Sequence, residues 1–353
     1  MSNLHERIEA FAKLGDFLRY FSEDGNHLPD KSDPFKDFSE ILTANVEKAL
    51  NANGWFTKEN ILFALKQWGA LLTLNNIEYW LNSYSIKNNS DKKVAIIMAG
   101  NIPLVGFHDF LCVLLTGHQV VIKQSESDKY LLPVIIEFLS TVAPYFLGKI
   151  TLTDKQLKEF DAVIATGSDN TARYFEYYFS KKPHIIRKNR NSVAVLTGDE
   201  SREELVALGE DIFRYFGLGC RNVSKLFVPV DYDFDKLFNA LFTYRDIINH
   251  AKYANNYDYN KAVYLMSLFE LKDNGFLLLK EDEGYSSPIA TLFYEYYNSD
   301  TLLRNKLRED DDKIQCIVSS KTSNTDAGFG ETQKPSLNTF ADGVDTVDFL
   351  LKI

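Results

Sequence analysis

Between residues 94 and 230 the chain alternates short apolar runs with helix-like stretches, and that alternation restricts its fold more than any other feature. Residues 94–98 (Val, Ala, Ile, Ile, Met) form a continuous apolar run of the buried-strand type, followed by Gly100. A helix is predicted over 107–115, ended by Gly117 in a C-cap position. Val120, Val121 and Ile122 give a second strand, with a helix over 130–142 behind it. A third strand covers 160–165 with a helix over 170–179, and a fourth covers 193–196. Parallel neighbours need crossover connections, so this order predicts an α/β protein whose mostly parallel sheet is covered on both faces. Ligands of such sheets sit beyond the carboxyl ends of the strands. Gly100, Asn101, Lys123, Thr166, Gly167 and Ser168 fall there.

Residues 1–90 read as helices. Leu4, Ile8, Phe11, Leu14 and Leu18 share one face at helical spacing. Phe35, Phe38, Leu42 and Ala49 repeat it after Pro34, a first-turn proline. Ile61, Leu65, Trp68 and Leu72 make a third stripe that Ile77, Trp80, Leu81 and Tyr84 continue, and the polar run 87–91 closes the block. Beyond 200 a second alternation begins. Ser201 and Glu204 form a capping box opening a helix with Leu205, Leu208, Ile212 and Tyr215 on one face. Gly217 and Gly219 stop that helix, a strand comes next over 224–230, and similar segments run to 314–318 and 346–353. The boundary between the two alternations is expected near 197–201.

With 353 residues, 45% apolar, the chain has enough apolar surface for about two cores and is not a disordered protein. Its 39 Lys and Arg stand against 49 Asp and Glu, a formal charge of -10, which argues against generic nucleic-acid binding. A local basic site for a phosphorylated cofactor stays compatible with that balance. No uncharged apolar run reaches the ~18–20 residues that span a bilayer. The first eighteen residues are broken by charge and contain no apolar signal core, so a cytoplasmic protein without a membrane span is expected.

Three cysteines are too few for a disulfide framework, and no CxxC pair suggests zinc, so no metal site is expected. Cys112 and Cys316 lie in apolar runs and read as buried, inert thiols. Cys220 lies in Gly217-Leu218-Gly219-Cys220-Arg221-Asn222, where glycines admit a substrate and Arg221 favours a thiolate. From the residues alone it is either a nucleophile or an ordinary loop cysteine. None of the six histidines carries a local hydrolase motif, although the partner of a Cys–His hydrolase meets its cysteine only in space.

Taken in order, Gly100-Asn101-Ile102-Pro103, Val121-Ile122-Lys123-Gln124-Ser125-Glu126, Thr166-Gly167-Ser168, and Gly219-Cys220 with the strand Lys225-Leu226-Phe227-Val228 resemble the motif series of the aldehyde dehydrogenase superfamily. More narrowly, with Gln333-Lys334-Pro335-Ser336-Leu337 and Ala341-Asp342-Gly343-Val344-Asp345, the chain resembles the acyl-CoA reductase family, the reductase subunits of bacterial bioluminescence fatty acid reductases. The resemblance implies an aldehyde dehydrogenase-like fold. An N-terminal helical segment (1–90) would pack on a Rossmann-type NAD(P)-binding domain (91–199), followed by a catalytic domain (200–330) and a C-terminal segment (331–353). It implies that Cys220 is the nucleophile taking an acyl group from a thioester, and that Asn101 and the Cys220 N–H stabilise the oxyanion. Lys123, with Ser125 and Glu126 beside it, would meet the adenosine ribose. Thr166, Gly167 and Ser168 would meet the pyrophosphate at a helix N-terminus, and Glu283 the nicotinamide ribose. From residue type alone Asn101 also reads as a turn residue, Thr166 to Ser168 as a capped strand-to-helix turn, and Glu283 as a solvated surface side chain.

One departure bears on the reaction. Hydrolytic aldehyde dehydrogenases carry a general-base Glu ahead of the strand that 193–196 resembles, whereas residues 186–192 here contain no carboxylate. The basic residues Lys181, Lys182, Arg187, Lys188 and Arg190 either form a solvated face or contact cofactor or CoA phosphates. The expected function is NADPH- or NADH-dependent reduction of an acyl-CoA or acyl-protein thioester to the aldehyde, and a homo-oligomer is compatible with it. The alternatives are a hydrolytic aldehyde dehydrogenase, a Cys–His hydrolase and a non-catalytic nucleotide-binding protein.

Overall fold

The computed structural model describes residues 3–23, 35–86, 91–320 and 327–353; Pro34 and the polar residues 87–90 lie outside them. The chain divides into two compact units, Met1–Lys188 with Ser336–Ile353, and Asn189–Pro335. The division precedes the 197–201 boundary expected from the sequence. The strand read as the fourth of the first sheet pairs instead with strands of the second unit.

The first unit begins with α1 (Leu4–Glu23), α2 (Lys36–Ala52), α3 (Lys58–Leu71) and α4 (Leu74–Leu81). Ile8, Phe11, Leu14 and Leu18 of α1 are buried in one core, each contributing about 1.5–3 kcal/mol by burial. The third apolar stripe is broken because Thr57 and Thr73 each cap a separate helix by accepting the N–H of Asn60 and Asn76. Next in the chain are β1 (Lys93–Ile97), α5 (Phe107–Leu115), β2 (Gln119–Lys123), α6 (Leu131–Val142), β3 (Ile150–Leu152), β4 (Ala162–Thr166), α7 (Asp169–Phe179) and β5 (His184–Arg187). The five strands pair in parallel in the order β3-β2-β1-β4-β5. Alternation along β1 and β4 shows both faces covered. Val94, Ile96 and Ile164 join the core of the N-terminal helices, α5 and α6, while Ala95, Val163 and Ala165 pack with Phe175 and Phe179 of α7. The C-terminal residues return to this unit, burying Leu337, Val347 and Leu350 in the same core.

The second unit runs β6 (Asn191–Val195), α8 (Arg202–Phe213), β7 (Val223–Pro229), α9 (Phe234–Leu241), α10 (Ala251–Met266), β8 (Leu271–Asp273), β9 (Leu278–Glu281), β10 (Thr291–Tyr297), α11 (Asp300–Glu309) and β11 (Ile314–Val318). Its sheet order is β11-β6-β7-β10-β9-β8, parallel except for β8 against β9. Leu205, Leu208 and Ile212 of α8 and Leu237 of α9 cover one face, and Leu303 and Leu307 of α11 cover the other. The Ser201–Glu204 capping box forms with both of its bonds. The helix it opens ends at Phe213 rather than running through Tyr215.

Candidate active site

In the first unit, parallel pairing brings the ends of β1, β2 and β4 to one edge, with Ile97 opposite both Lys123 and Ala165. Three segments named from the sequence therefore meet at that edge: the one carrying Gly100 and Asn101, the one from Lys123 to Glu126, and Thr166 to Ser168. A Cβ on Gly100 would lie 2.6 Å from Ser125 Oγ, so only glycine lets the first segment pass this close to the second. Asn53 ties the two together: its buried side-chain amide donates to the carbonyls of Gly100 (3.3 Å) and Ser127 (3.2 Å). Lys123 is half-buried, and among the described residues its ammonium makes no ion pair. Glu126 is exposed and paired with Lys129 at 2.6 Å. Ser168 caps α7 by accepting the Thr171 N–H (3.4 Å), and a Cβ on Gly167 would lie 2.9 Å from Thr171 Cγ2. A phosphorylated dinucleotide fits these groups: a cation at one strand end, hydroxyls beside it, and a capped helix N-terminus at the next.

A second clamp acts on the segment after β1. Leu104 has left-handed backbone (φ 58), a conformation costing a non-glycine residue about 1–2 kcal/mol. Its N–H donates to Asp128 Oδ2 at 2.7 Å. Asp128 is buried, and its Oδ1 has no hydrogen-bond partner among the described residues. Burial pushes this carboxyl up to about 6, and the Leu104 N–H only partly opposes that. Asn101 itself is exposed.

Most of the basic run is committed to protein partners. Arg187, at the end of β5, is buried and grips Asp109 of α5 through Nε (3.2 Å) and Nη2 (2.6 Å). The same guanidinium donates to Ala341 O (2.7 Å) and Thr346 Oγ1 (2.9 Å), binding the returning C-terminal segment. Lys188 pairs with Glu176 at 2.8 Å, and Lys182 donates to Phe160 O. Arg190, in the second unit, donates to Asp311 O and Ile314 O. Phosphate contact by Arg187 is thereby excluded, because its donors are already directed at protein acceptors. Its burial, not solvation, is what the run of cations concealed.

Cys220, in the second unit, is exposed, whereas Cys112 and Cys316 are buried as their apolar settings predict. Burial drives the Cys112 thiol well above its ordinary range. The chain reaches Cys220 through a kink at Arg214–Gly217 in which Tyr215 (φ 55), Phe216 (φ 60) and Gly217 (φ 77) are all left-handed. Asn222, fully buried, holds the segment from that kink to Gly219. Its Oδ1 accepts the Gly219 N–H (2.8 Å), and its Nδ2 donates to Asp211 O (3.0 Å) and Arg214 O (2.8 Å). The Asn222 N–H closes the turn on Gly219 O at 3.0 Å, placing Cys220 and Arg221 at its corner. The carboxylate of Asp211 receives Gly330 N–H (2.6 Å), Thr332 N–H (3.0 Å) and Thr332 Oγ1 (2.8 Å). Burial still raises it to about 6.

Glu283 is exposed. Phe293 of β10 lies opposite both Lys225 of β7 and Lys280 of β9. After β9 the chain turns back to β7, since Lys225 Nζ donates to Asp282 O and Ser224 Oγ to Tyr285 O at 2.7 Å, and Glu283 lies between these two contacts.

Residues 36–236 match the model of the family described as acyl-CoA reductase (LuxC). The chain belongs to the acyl-CoA reductase (LuxC) family. The matched stretch contains Asn101, Lys123, Thr166, Gly167, Ser168 and Cys220, and ends before Glu283. Within 266 residues the chain is 23% identical to a long-chain acyl-protein thioester reductase of Vibrio harveyi, covering 69% of this chain and 55% of that protein. It is 21% identical over 184 residues to long-chain acyl-protein thioester reductase 2 of Photobacterium leiognathi, covering 47% and 38%. The matches thus span about half of those relatives' length or less. Aldehyde dehydrogenase 21 from Physcomitrella patens superimposes with a TM-score of 0.65 at 11% identity, over 99% of this chain and 84% of that one. An NAD+ complex of a Bacillus cereus aldehyde dehydrogenase gives 0.59 at 13% identity, over 92% and 72%. The fold is that of the aldehyde dehydrogenases. No helix among the described residues is long and apolar enough to cross a membrane, and no cluster of metal-ligating side chains occurs among them.

Three residues of this LuxC-family chain were not singled out from sequence: Asn53, Asp128 and Asn222. Each is a polar side chain whose acceptors or donors lie on backbone brought near by folding. Only Asn222, two residues after the cysteine between glycine and an apolar strand, stood where a turn-capping amide is commonly found.

Proposed function

We propose that the protein reduces an acyl thioester to the aldehyde through an acyl group carried on Cys220. The observation carrying this reading is that Cys220 is the exposed member of the three cysteines and sits at the corner of a clamped turn. Family membership supports the reaction class, the names of the two relatives support a protein-bound donor, and only the family's description names acyl-CoA. The Cys220 thiolate adds to the thioester carbonyl and the donor's thiolate leaves, giving an acyl-enzyme. Asn101 through its amide, and Cys220 through its N–H, donate to the oxyanion formed on the way. Lys123, Ser125, Thr166, Gly167 and Ser168 hold the dinucleotide, with Glu126 beside its adenosine ribose and Glu283 at its nicotinamide ribose. A reduced nicotinamide bound there supplies the hydride that brings the acyl group to the oxidation level of an aldehyde. Collapse of the resulting thiohemiacetal returns the Cys220 thiol and releases the aldehyde. Residues 184–192 provide no carboxylate to activate water, which favours transfer to and from a thiol over hydrolysis. A reduced cytoplasmic setting, which keeps the thiol available, completes the reading.

The test treats the protein with acyl-CoAs of several chain lengths and, separately, with an acylated carrier protein. Peptide mass spectrometry locates the adduct, and NADPH or NADH is then added. An adduct on Cys220 that either cofactor converts to aldehyde is the expected result. Acylation that survives in Cys220→Ala overturns the mechanism. Acid release from aldehyde and oxidised cofactor without a thiol acceptor would point to the hydrolytic alternative.

A further inference from the structure

The nucleophile's turn is fixed from outside by a side chain on a neighbouring strand. Ser192 of β6, wholly buried, donates its hydroxyl to the carbonyl of Cys220 at 3.0 Å. Its Oγ also lies 2.9 Å from the sulfur of Cys316 on β11, which is 1% exposed. A serine hydroxyl has one proton to give, and here the Cys220 carbonyl receives it. The Cys316 thiol is therefore the donor of the second contact, and the order of donation runs from Cys316 to Ser192 to Cys220.

The sheet is irregular at this place on both sides of β6. Pairing with β7 shifts register between Ser192 and Val193, and pairing with β11 shifts between Ile314 and Ile317. Such irregularities bend a strand and re-aim a side chain, and they collect beside functional sites. Two of them flank a hydroxyl that reaches the Cys220 backbone. The two peptide planes around Cys220 are held separately: Gly219 O accepts the Asn222 N–H at 3.0 Å, and Cys220 O accepts the Ser192 hydroxyl. Peptide units are planar, so fixing both fixes φ and ψ of the residue between them and with them the direction of its Cα–Cβ bond. Without Ser192 the second plane loses this hydrogen bond, and the aim of the sulfur shifts with it.

We propose that Ser192 and Cys316 are positioning residues of the acyl-transfer step, a buried thiol–hydroxyl chain that aims the Cys220 side chain. This rests on Cys220 being the nucleophile of the function proposed above. A serine or cysteine that only filled space in the sheet would affect stability without a specific effect on the thiol.

The experiment compares Ser192→Ala, Cys316→Ala, Cys316→Ser and the double alanine variant in the full-length protein. Three quantities are measured: single-turnover acylation by an acyl-CoA, the alkylation rate of Cys220 by iodoacetamide located by peptide mass spectrometry, and the urea midpoint. Ser192→Ala is expected to slow acylation about tenfold with donor affinity unchanged, the loss of one buried hydrogen bond that acts on the transition state. Cys316→Ala should slow it about threefold, and Cys316→Ser should restore the rate because a hydroxyl donates in place of the thiol. The double variant should be no slower than Ser192→Ala, since the two act in series. Unchanged rates, multiplying effects, or rate losses that Cys316→Ser does not recover overturn the proposal. Should Ser192→Ala fail to fold, the contrast between Cys316→Ala and Cys316→Ser decides it. Absence of any acyl adduct on wild-type Cys220 would defeat the reductase reading instead, while the alkylation rates would still decide whether the pair aims the thiol.

Discussion

Leu104 in the first unit and Tyr215 and Phe216 in the second hold left-handed backbone close in sequence to a proposed reacting residue, at φ 58 against 55 and 60. The side chains that secure them differ. Leu104 is secured by a buried carboxyl, Asp128, with one oxygen in use and the other lacking a partner among the described residues. The kink at Tyr215 and Phe216 is secured by a neutral amide, Asn222, whose oxygen and nitrogen both meet backbone partners. A carboxyl clamp costs desolvation when ionised and responds to pH, whereas an amide clamp does neither. Buried charge occurs in both units, as Arg187 with Asp109 in the first and as Asp211 and the Lys225–Glu295 pair in the second. The comparison predicts that the Asp128 clamp on Leu104 responds to pH and that the Asn222 clamp does not.

The largest effect is expected where buried charge loses its partner. Arg187→Ala leaves Asp109 uncompensated and frees the C-terminal segment, and should destabilise by about 3–5 kcal/mol in urea unfolding. A loss below about 1 kcal/mol would mean the first unit does not depend on that pair. On the reaction itself, Asn101→Ala should slow acylation by about 10²–10³ with little change in donor affinity, since an oxyanion donor acts mainly in the transition state. Weaker binding with an unchanged rate would return Asn101 to the role of a turn residue.

Asn222→Ala should cost about 2–3 kcal/mol, equally at pH 5 and pH 8, by leaving buried carbonyls without donors. A pH-dependent cost would break the contrast between the two clamps. Asp128→Asn tests the other side. The Asp128 carboxyl titrates at about 6 in the folded protein against 3.8 ordinarily. Its stabilising contribution is therefore complete below about 3.8 and is lost as pH rises through about 6, a change of order 3 kcal/mol. The amide keeps an acceptor for Leu104 without the charge, so the variant should be the more stable protein at pH 8 and gain nothing near pH 4. Asp211, also near 6, remains, so the wild-type slope between pH 4 and 7 should roughly halve rather than vanish. The smallest effect is expected at His250, the histidine of the cysteine's unit, whose ring lies tilted against Phe216 with centroids 4.2 Å apart. His250→Phe keeps a ring there and should leave acylation within about threefold of wild type. A loss beyond a hundredfold would instead favour a Cys–His mechanism.

Much of the first unit was legible because its signals are local. The stripe of Ile8, Phe11, Leu14 and Leu18 has helical period, and β1 and β4 are continuous apolar runs because helices cover both faces of their sheet. The positions of Asn101, Lys123 and Thr166 at strand ends came from the alternation, since parallel strands share a carboxyl edge. Arg187 was misread for the opposite reason. Nothing near it in sequence shows that Asp109 and Thr346, 78 and 159 residues away, will surround it.

The sequence by itself determined the N-terminal helices, the strands β1, β2 and β4, though not β3 or β5, with the helices between them, and the difference between one cysteine among glycines and two among hydrophobes. Those depend on the period of neighbouring side chains and on backbone freedom, which operate over a few residues. Tertiary structure decided which sheet β6 joins, why a helix-period residue such as Tyr215 turns left-handed, and which side chains hold the Cys220 turn. Each of those outcomes depends on a hydrogen bond or strand pairing between distant segments, as when Ser192 reaches Cys220 from 28 residues away. Such a bond has no counterpart in local pattern, because its donor and acceptor meet only after the apolar cores have brought their strands together.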